Sequence, residues 1–158
     1  MKGAHLMLLQ TNSGKRKHVH LLSELIKKSK VSILCSGWIK LPGLEDLLPS
    51  IDEALANGAV ITVYSNLKET LEGVAPALAS RTGLTHRMVG PRSRALHTKI
   101  YYFESGDEYT AVIGSANITK GGLSANEELS VTLQGTRGDP LFLDLQRYLA
   151  TLAGMKFA

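Results

Sequence analysis

Cysteine is nearly absent from this chain of 158 residues: Cys35 stands alone, so no intrachain disulfide can form. It lies in the apolar run 31–37, where a buried and unreactive thiol is expected. With no leader-like stretch at the amino terminus, the sequence predicts a reducing, cytoplasmic setting. No apolar run approaches the roughly 20 residues that a bilayer-spanning helix needs, so no membrane partner is expected. Clusters of metal ligands are missing as well. His5, His18, His20 and His86 are scattered, and neither the cysteine nor the carboxylates stand at ligand spacing. His18 and His20 form a pair, but helical residues at i and i+2 point apart. The sequence therefore predicts no metal and no cofactor.

Hydrophobic residues make up 44% and charged residues 20%, enough for one real core, and 158 residues suit a single domain over 1–158. The net charge of +4 is mild; it fits either a polyanionic partner or a solvated cationic face. Strand and helix signals alternate in the first half. An apolar run at 5–10 precedes a helix at 15–30, where Val19, Leu22, Leu25 and Ile26 recur at helical spacing. A buried strand at 31–37 leads to a helix from Pro42 to Asn57, with Gly58 as its stop. A strand at 59–65, a helix at 70–81 and a short strand at 84–89 follow. Strands then cluster: 97–104 and 109–114 flank a polar hairpin turn, 127–134 is another strand, and 140–152 is a closing helix. This pattern predicts an α/β fold with a mixed central sheet flanked by helices.

Chemistry concentrates between His97 and Glu128. His97 and Lys99 stand two apart on a predicted strand, so both side chains leave one face. An imidazole beside an ammonium suits a phosphate: the cation holds non-bridging oxygens while the ring works in line with the leaving group. A histidine and a lysine on an exposed strand face look the same when read alone. Gly114, Ser115 and Asn117 close the next strand, where small residues admit a ligand and the Asn117 amide can donate to phosphate; a capped turn has the same composition. Glu128 follows a glycine-rich loop, where its carboxylate can accept from the second imidazole nitrogen and fix the tautomer, or face solvent. Upstream, Arg92 and Arg94 lie in a Gly-Pro loop suited to backbone phosphates or to a plain basic surface. Trp38 follows a predicted strand end and either caps the core or lines the cleft.

Together, His97-x-Lys99, Gly114-Ser115-x-Asn117, Gly122-Leu123 and Asn126-x-Glu128 resemble the phospholipase D superfamily. Their spacing is similar to its nuclease branch, including the catalytic half of BfiI-type metal-independent restriction endonucleases. The resemblance implies a phospholipase D-like layered sandwich with His97, Lys99, Asn117 and Glu128 as catalytic residues. Ser115, Arg92 and Arg94 would bind phosphate. It implies a covalent phosphohistidine and two facing motifs. A chain with one motif is then expected to act as a homodimer with a shared site, on nucleic acid and first of all on DNA. One position departs: the aspartate of the family's HxKxxxxD signature is Glu104 here. Phospholipid hydrolysis or transfer is the alternative within the superfamily. A catalytically weak nucleic-acid-binding module of a larger restriction or helicase system is the alternative from another functional class.

Overall fold

The computed structural model describes residues 6–158. Its elements run β1 (Leu6–Thr11), α1 (His18–Lys28), β2 (Val31–Ser36), α2 (Leu41–Ala56), β3 (Val60–Asn66) and α3 (Val74–Ala79). They continue as β4 (Leu84–Val89), β5 (Lys99–Ser105), β6 (Glu108–Gly114), β7 (Leu129–Thr136) and α4 (Pro140–Ala153). The strands join in one seven-stranded sheet of order β1-β7-β6-β5-β2-β3-β4. β2, β3 and β4 are parallel, whereas β2–β5, β5–β6, β6–β7 and β7–β1 pair antiparallel. The expected α/β architecture with a mixed sheet is therefore the one observed.

Alternation along each strand decides which helix layer it feeds. Tyr101 and Phe103 of β5 join Leu34, Ile61 and Val63 against Leu22, Ile26, Leu44 and Leu47 from α1 and α2. Ile100 and Tyr102 point the other way, onto Leu145, Leu149 and Leu152 of α4. Burial on both faces is why β2 and β5 read as nearly continuous apolar runs. Cys35 belongs to the α4 side; burial pushes its thiol up to about 12, as an inert core cysteine requires. Among the described residues no helix is long and apolar enough to cross a membrane.

Several boundaries moved. The first apolar run begins at His5, which lies outside the described residues. The helix expected at 70–81 is confined to Val74–Ala79. Thr70 is instead drawn into a bridge with Ile39, and Gly73 adopts a left-handed φ of 84° that breaks any earlier helix. The strands expected to start at 97 and 127 begin at Lys99 and Leu129, so His97 and Glu128 both stand just outside the sheet. For His97 the cause is its neighbour: Lys99 pairs with Ser36, the last residue of β2, and beyond that pair no partner strand remains.

This topology gathers the motif. β2 and β6 run toward the edge of the sheet from which β5 and β7 depart, because these neighbours are antiparallel. The exit of β2, the entry of β5, the exit of β6 and the entry of β7 consequently share one edge. Glu104 sits at the opposite end of β5, about 17 Å from Lys99 at about 3.3 Å per residue.

Candidate active site

His97 is exposed, yet the backbone that presents it is held tightly. The Asn66 carboxamide clamps Leu96: its oxygen accepts from Leu96 N–H at 2.8 Å and its nitrogen donates to the Leu96 carbonyl. Gly37 lies against that same carbonyl, and any Cβ there would collide with it. Lys99 then folds back. Its Nζ donates to the His97 carbonyl at 2.9 Å and lies 3.5 Å from Nδ1, so the Nε2 edge of the ring is turned away from the lysine. His97 lines an open groove of about 480 Å³ with Arg92, Arg94, Tyr148 and Lys156. Arg92 and Arg94 thus share the groove with the imidazole.

Asn117 and Glu128 occupy a separate hollow of about 410 Å³, lined also by Trp38, Lys40 and Asn126. Ser36 ties the two halves together: it pairs with Lys99 in the sheet, and its Oγ approaches Asn117 Oδ1 at 3.2 Å while accepting from Ile118 N–H. That arrangement leaves the Asn117 Nδ2 group without a hydrogen-bond acceptor among the described residues. Ser115 Oγ donates to Glu128 and accepts from Leu129 N–H at 3.1 Å. The expected Glu128–His97 hydrogen bond is therefore replaced within one chain by Ser115–Glu128, because Glu128 enters β7 on the far side of β6 from His97. A second correction concerns Gly114. Its missing side chain admits β7 rather than a ligand, since a Cβ would strike the Leu129 carbonyl and Ser130. Gly122 likewise admits the Asn117 backbone, in a π-helical turn at Gly121–Ala125.

Beneath the loop carrying Asn126 and Glu128 lies a buried polar chain that the sequence did not disclose. Asn12 Nδ2 donates to the carbonyls of Gly122 at 2.9 Å and Asn126 at 3.1 Å. Its Oδ1 must then accept, so His18 Nδ1, 2.8 Å away, carries a proton. His18 is fully buried, and with the proton on Nδ1 its Nε2 accepts from Ser130 Oγ at 2.8 Å. His20 does something unrelated: its Nδ1 accepts from Lys17 N–H at the start of α1. The pair is structural, and no group of metal ligands occurs among the described residues.

Burial lowers the pKa of both His18 and His86 below the ordinary 6.5. A histidine depressed in the native state favours folding fully above its unfolded value and loses that contribution as pH falls toward the native value. The unfolding midpoint is accordingly expected to fall as pH drops below about 6.5, and His18→Gln to flatten that slope. Urea titrations at pH 7.5, 6.5 and 5.5 test this; superimposable slopes for the two proteins would contradict it.

Glu104 has a structural task. Its carboxylate accepts from Tyr102 Oη at 2.9 Å and pairs with Arg137 at 2.7 Å, while Gln146 of α4 donates to the same tyrosine. The departure from aspartate thus falls where no motif residue can reach it. Glu104→Gln is expected to leave phosphodiester turnover within about twofold and to cost roughly 1 kcal/mol of stability. A large loss of turnover in a fully folded variant would refute that assignment.

A mixed sheet carrying HxK, GSxN and NxE at one edge defines an enzyme of the phospholipase D superfamily. The chain belongs to the phospholipase D-like family: residues 15–152 match the family described as "Cardiolipin synthase, PLD-like domain". Among solved structures, NucT from Helicobacter pylori shares the fold with a TM-score of 0.78 at 12% identity, over 96% of this chain and 98% of that one. Nuc from Salmonella typhimurium, a phospholipase D family member, gives 0.75 at 15% identity over 98% and 99% of the two chains. A polyphosphate kinase from Porphyromonas gingivalis carries the fold in 27% of its length, with a TM-score of 0.66 at 14% identity over 98% of this chain. Curated protein sequences give no match. At such identities the likeness is one of fold, and the resemblance to restriction endonucleases rests on motif spacing alone.

Proposed function

We propose that the protein is a metal-independent nuclease that hydrolyses nucleic-acid phosphodiesters through a covalent phosphohistidine. The observation that carries this reading is the His97–Lys99 pair, with Nε2 turned from the lysine in a groove flanked by Arg92 and Arg94. His97 Nε2 donates its lone pair to phosphorus, forming an N–P bond as the P–O bond to the leaving oxygen breaks. A second imidazolium gives its proton to that oxygen, then takes a proton from water, whose oxygen attacks phosphorus and releases the nucleophile. Lys99 and the Asn117 Nδ2 group bind the non-bridging oxygens as charge develops on them. Ser115 Oγ holds the Glu128 carboxylate, which lines the hollow beside Asn117.

The second imidazole comes from a second copy of the chain, since the motif occurs once. An uncovered apolar patch supports this. Met7, Leu9, Ile113 and Leu129, respectively 68%, 71%, 36% and 54% exposed, lie on the α4 face of β1, β6 and β7 beside the site edge. Such a contiguous patch marks an association surface. The same patch favours a second reading, in which the surface meets lipid and the substrate is a phospholipid. Incubation with single- and double-stranded DNA in excess EDTA, alongside liposome flotation, separates the two. The nuclease reading expects undiminished cutting in EDTA and no flotation; intact DNA at every pH, with turnover of phospholipid, would overturn it.

A further inference from the structure

Trp38 is the only tryptophan of the chain, and it is 41% exposed. Nothing about its backbone is loose. The next residue, Ile39, is fully buried and bridges both Thr70 and Ile118. Ile39 N–H donates to the Glu69 carbonyl, Lys40 N–H donates to the Ile118 carbonyl, and the Trp38 carbonyl accepts from Ser36 Oγ at 2.7 Å. An indole anchored on both sides and still left in water forgoes hydrophobic stabilisation that a core position would have given it. It stands in the hollow that holds Asn117 and Glu128. Lys40 Nζ lies 4.6 Å from the ring centroid, and the indole keeps exposed surface on which a flat group can lie. The second cation of the hollow, Lys120, is engaged by Asp46 at 2.8 Å, whereas Lys40 has no carboxylate partner among the described residues. A hollow of about 410 Å³ lies within the range of small-ligand sites.

We propose that Trp38 and Lys40 form a nucleobase subsite beside the scissile phosphate: the indole stacks a base while the ammonium meets an adjacent phosphate. This deepens the nuclease reading and rests on it. A base inside a duplex has both faces covered, whereas a base in a single strand offers one freely. The subsite therefore selects single-stranded nucleic acid.

The lone tryptophan makes its own probe. With the His97→Ala protein in EDTA, a short oligothymidylate is expected to quench Trp38 fluorescence, and an abasic oligomer of equal length and charge is not. A blunt duplex is expected to quench weakly. In the otherwise unaltered enzyme, Trp38→Ala should raise KM for single-stranded DNA by about 5- to 150-fold and Trp38→Phe should restore most of the affinity. Equal quenching by the abasic oligomer would overturn the subsite. So would cleavage by Trp38→Ala indistinguishable from the parent, and either outcome leaves the nuclease reading standing. A blue shift with anionic phosphatidylglycerol vesicles and no response to any oligonucleotide would overturn the subsite in favour of a lipid site. If the parent protein also cuts no nucleic acid, the nuclease reading falls with it.

Discussion

His97→Ala is expected to lower phosphodiester cleavage by at least about ten-thousand-fold, the combined scale of losing a nucleophile and its acid–base partner. The shared-site account makes the loss this large because one substitution removes both imidazoles from a dimer. The fold should be indifferent: the ring is exposed, and the hydrogen bonds that fix this segment come from Asn66 to the backbone of Leu96 rather than to the imidazole. Circular dichroism and the unfolding midpoint should accordingly match the parent. A variant that keeps more than about one-hundredth of the parent rate, corrected for contaminating nuclease, is incompatible with His97 as nucleophile. Acid quenching of the parent with end-labelled DNA should trap label on the protein, and the variant should trap none.

Lys99→Met is expected to cost about 100- to 1,000-fold in kcat, the scale of removing one preorganised donor from a developing oxyanion. Two effects combine here. The ammonium is lost from the phosphoryl oxygens, and the His97 carbonyl loses the donor that holds it at 2.9 Å. Lys99→Arg should recover little, because the planar guanidinium cannot make the compact fold-back that brings Nζ to both the carbonyl and Nδ1. A rise in KM with kcat unchanged would assign Lys99 to substrate binding alone.

The alternation of apolar runs was enough to predict the mixed sheet and its two helix layers, because strands buried on both faces and amphipathic helices leave strong periodic signals. The edge cluster was legible only as spacing. His97 and Lys99 emerge together as expected, but His97 lies outside the strand because Ser36 is where β2 ends, a fact about a partner some 60 residues away. Glu128 faces Ser115 instead of His97 for a similarly distant cause, the order of β5, β6 and β7 in the sheet. Asn12 and Ser130 gave no sequence signal at all: Asn12 holds the carbonyls of Gly122 and Asn126, and Ser130 meets His18, all across more than 100 positions. Trp38 was ambiguous because an aromatic after a strand suits either a core cap or a cleft wall. The decisive feature was Ile39, whose burial turns its neighbour outward. Glu104 departs from the signature aspartate at the end of β5 far from the site edge, where its side chain serves Tyr102 and Arg137.

The half-site claim is tested most directly by mixing subunits. Parent and His97→Ala chains are unfolded together, refolded in varied proportion, and assayed for DNA cleavage in EDTA. If each active centre needs a histidine from both copies, activity follows the square of the parent fraction, falling to about one quarter in an equal mixture. Activity proportional to the parent fraction, about one half in that mixture, would show that a single chain suffices and would contradict the account.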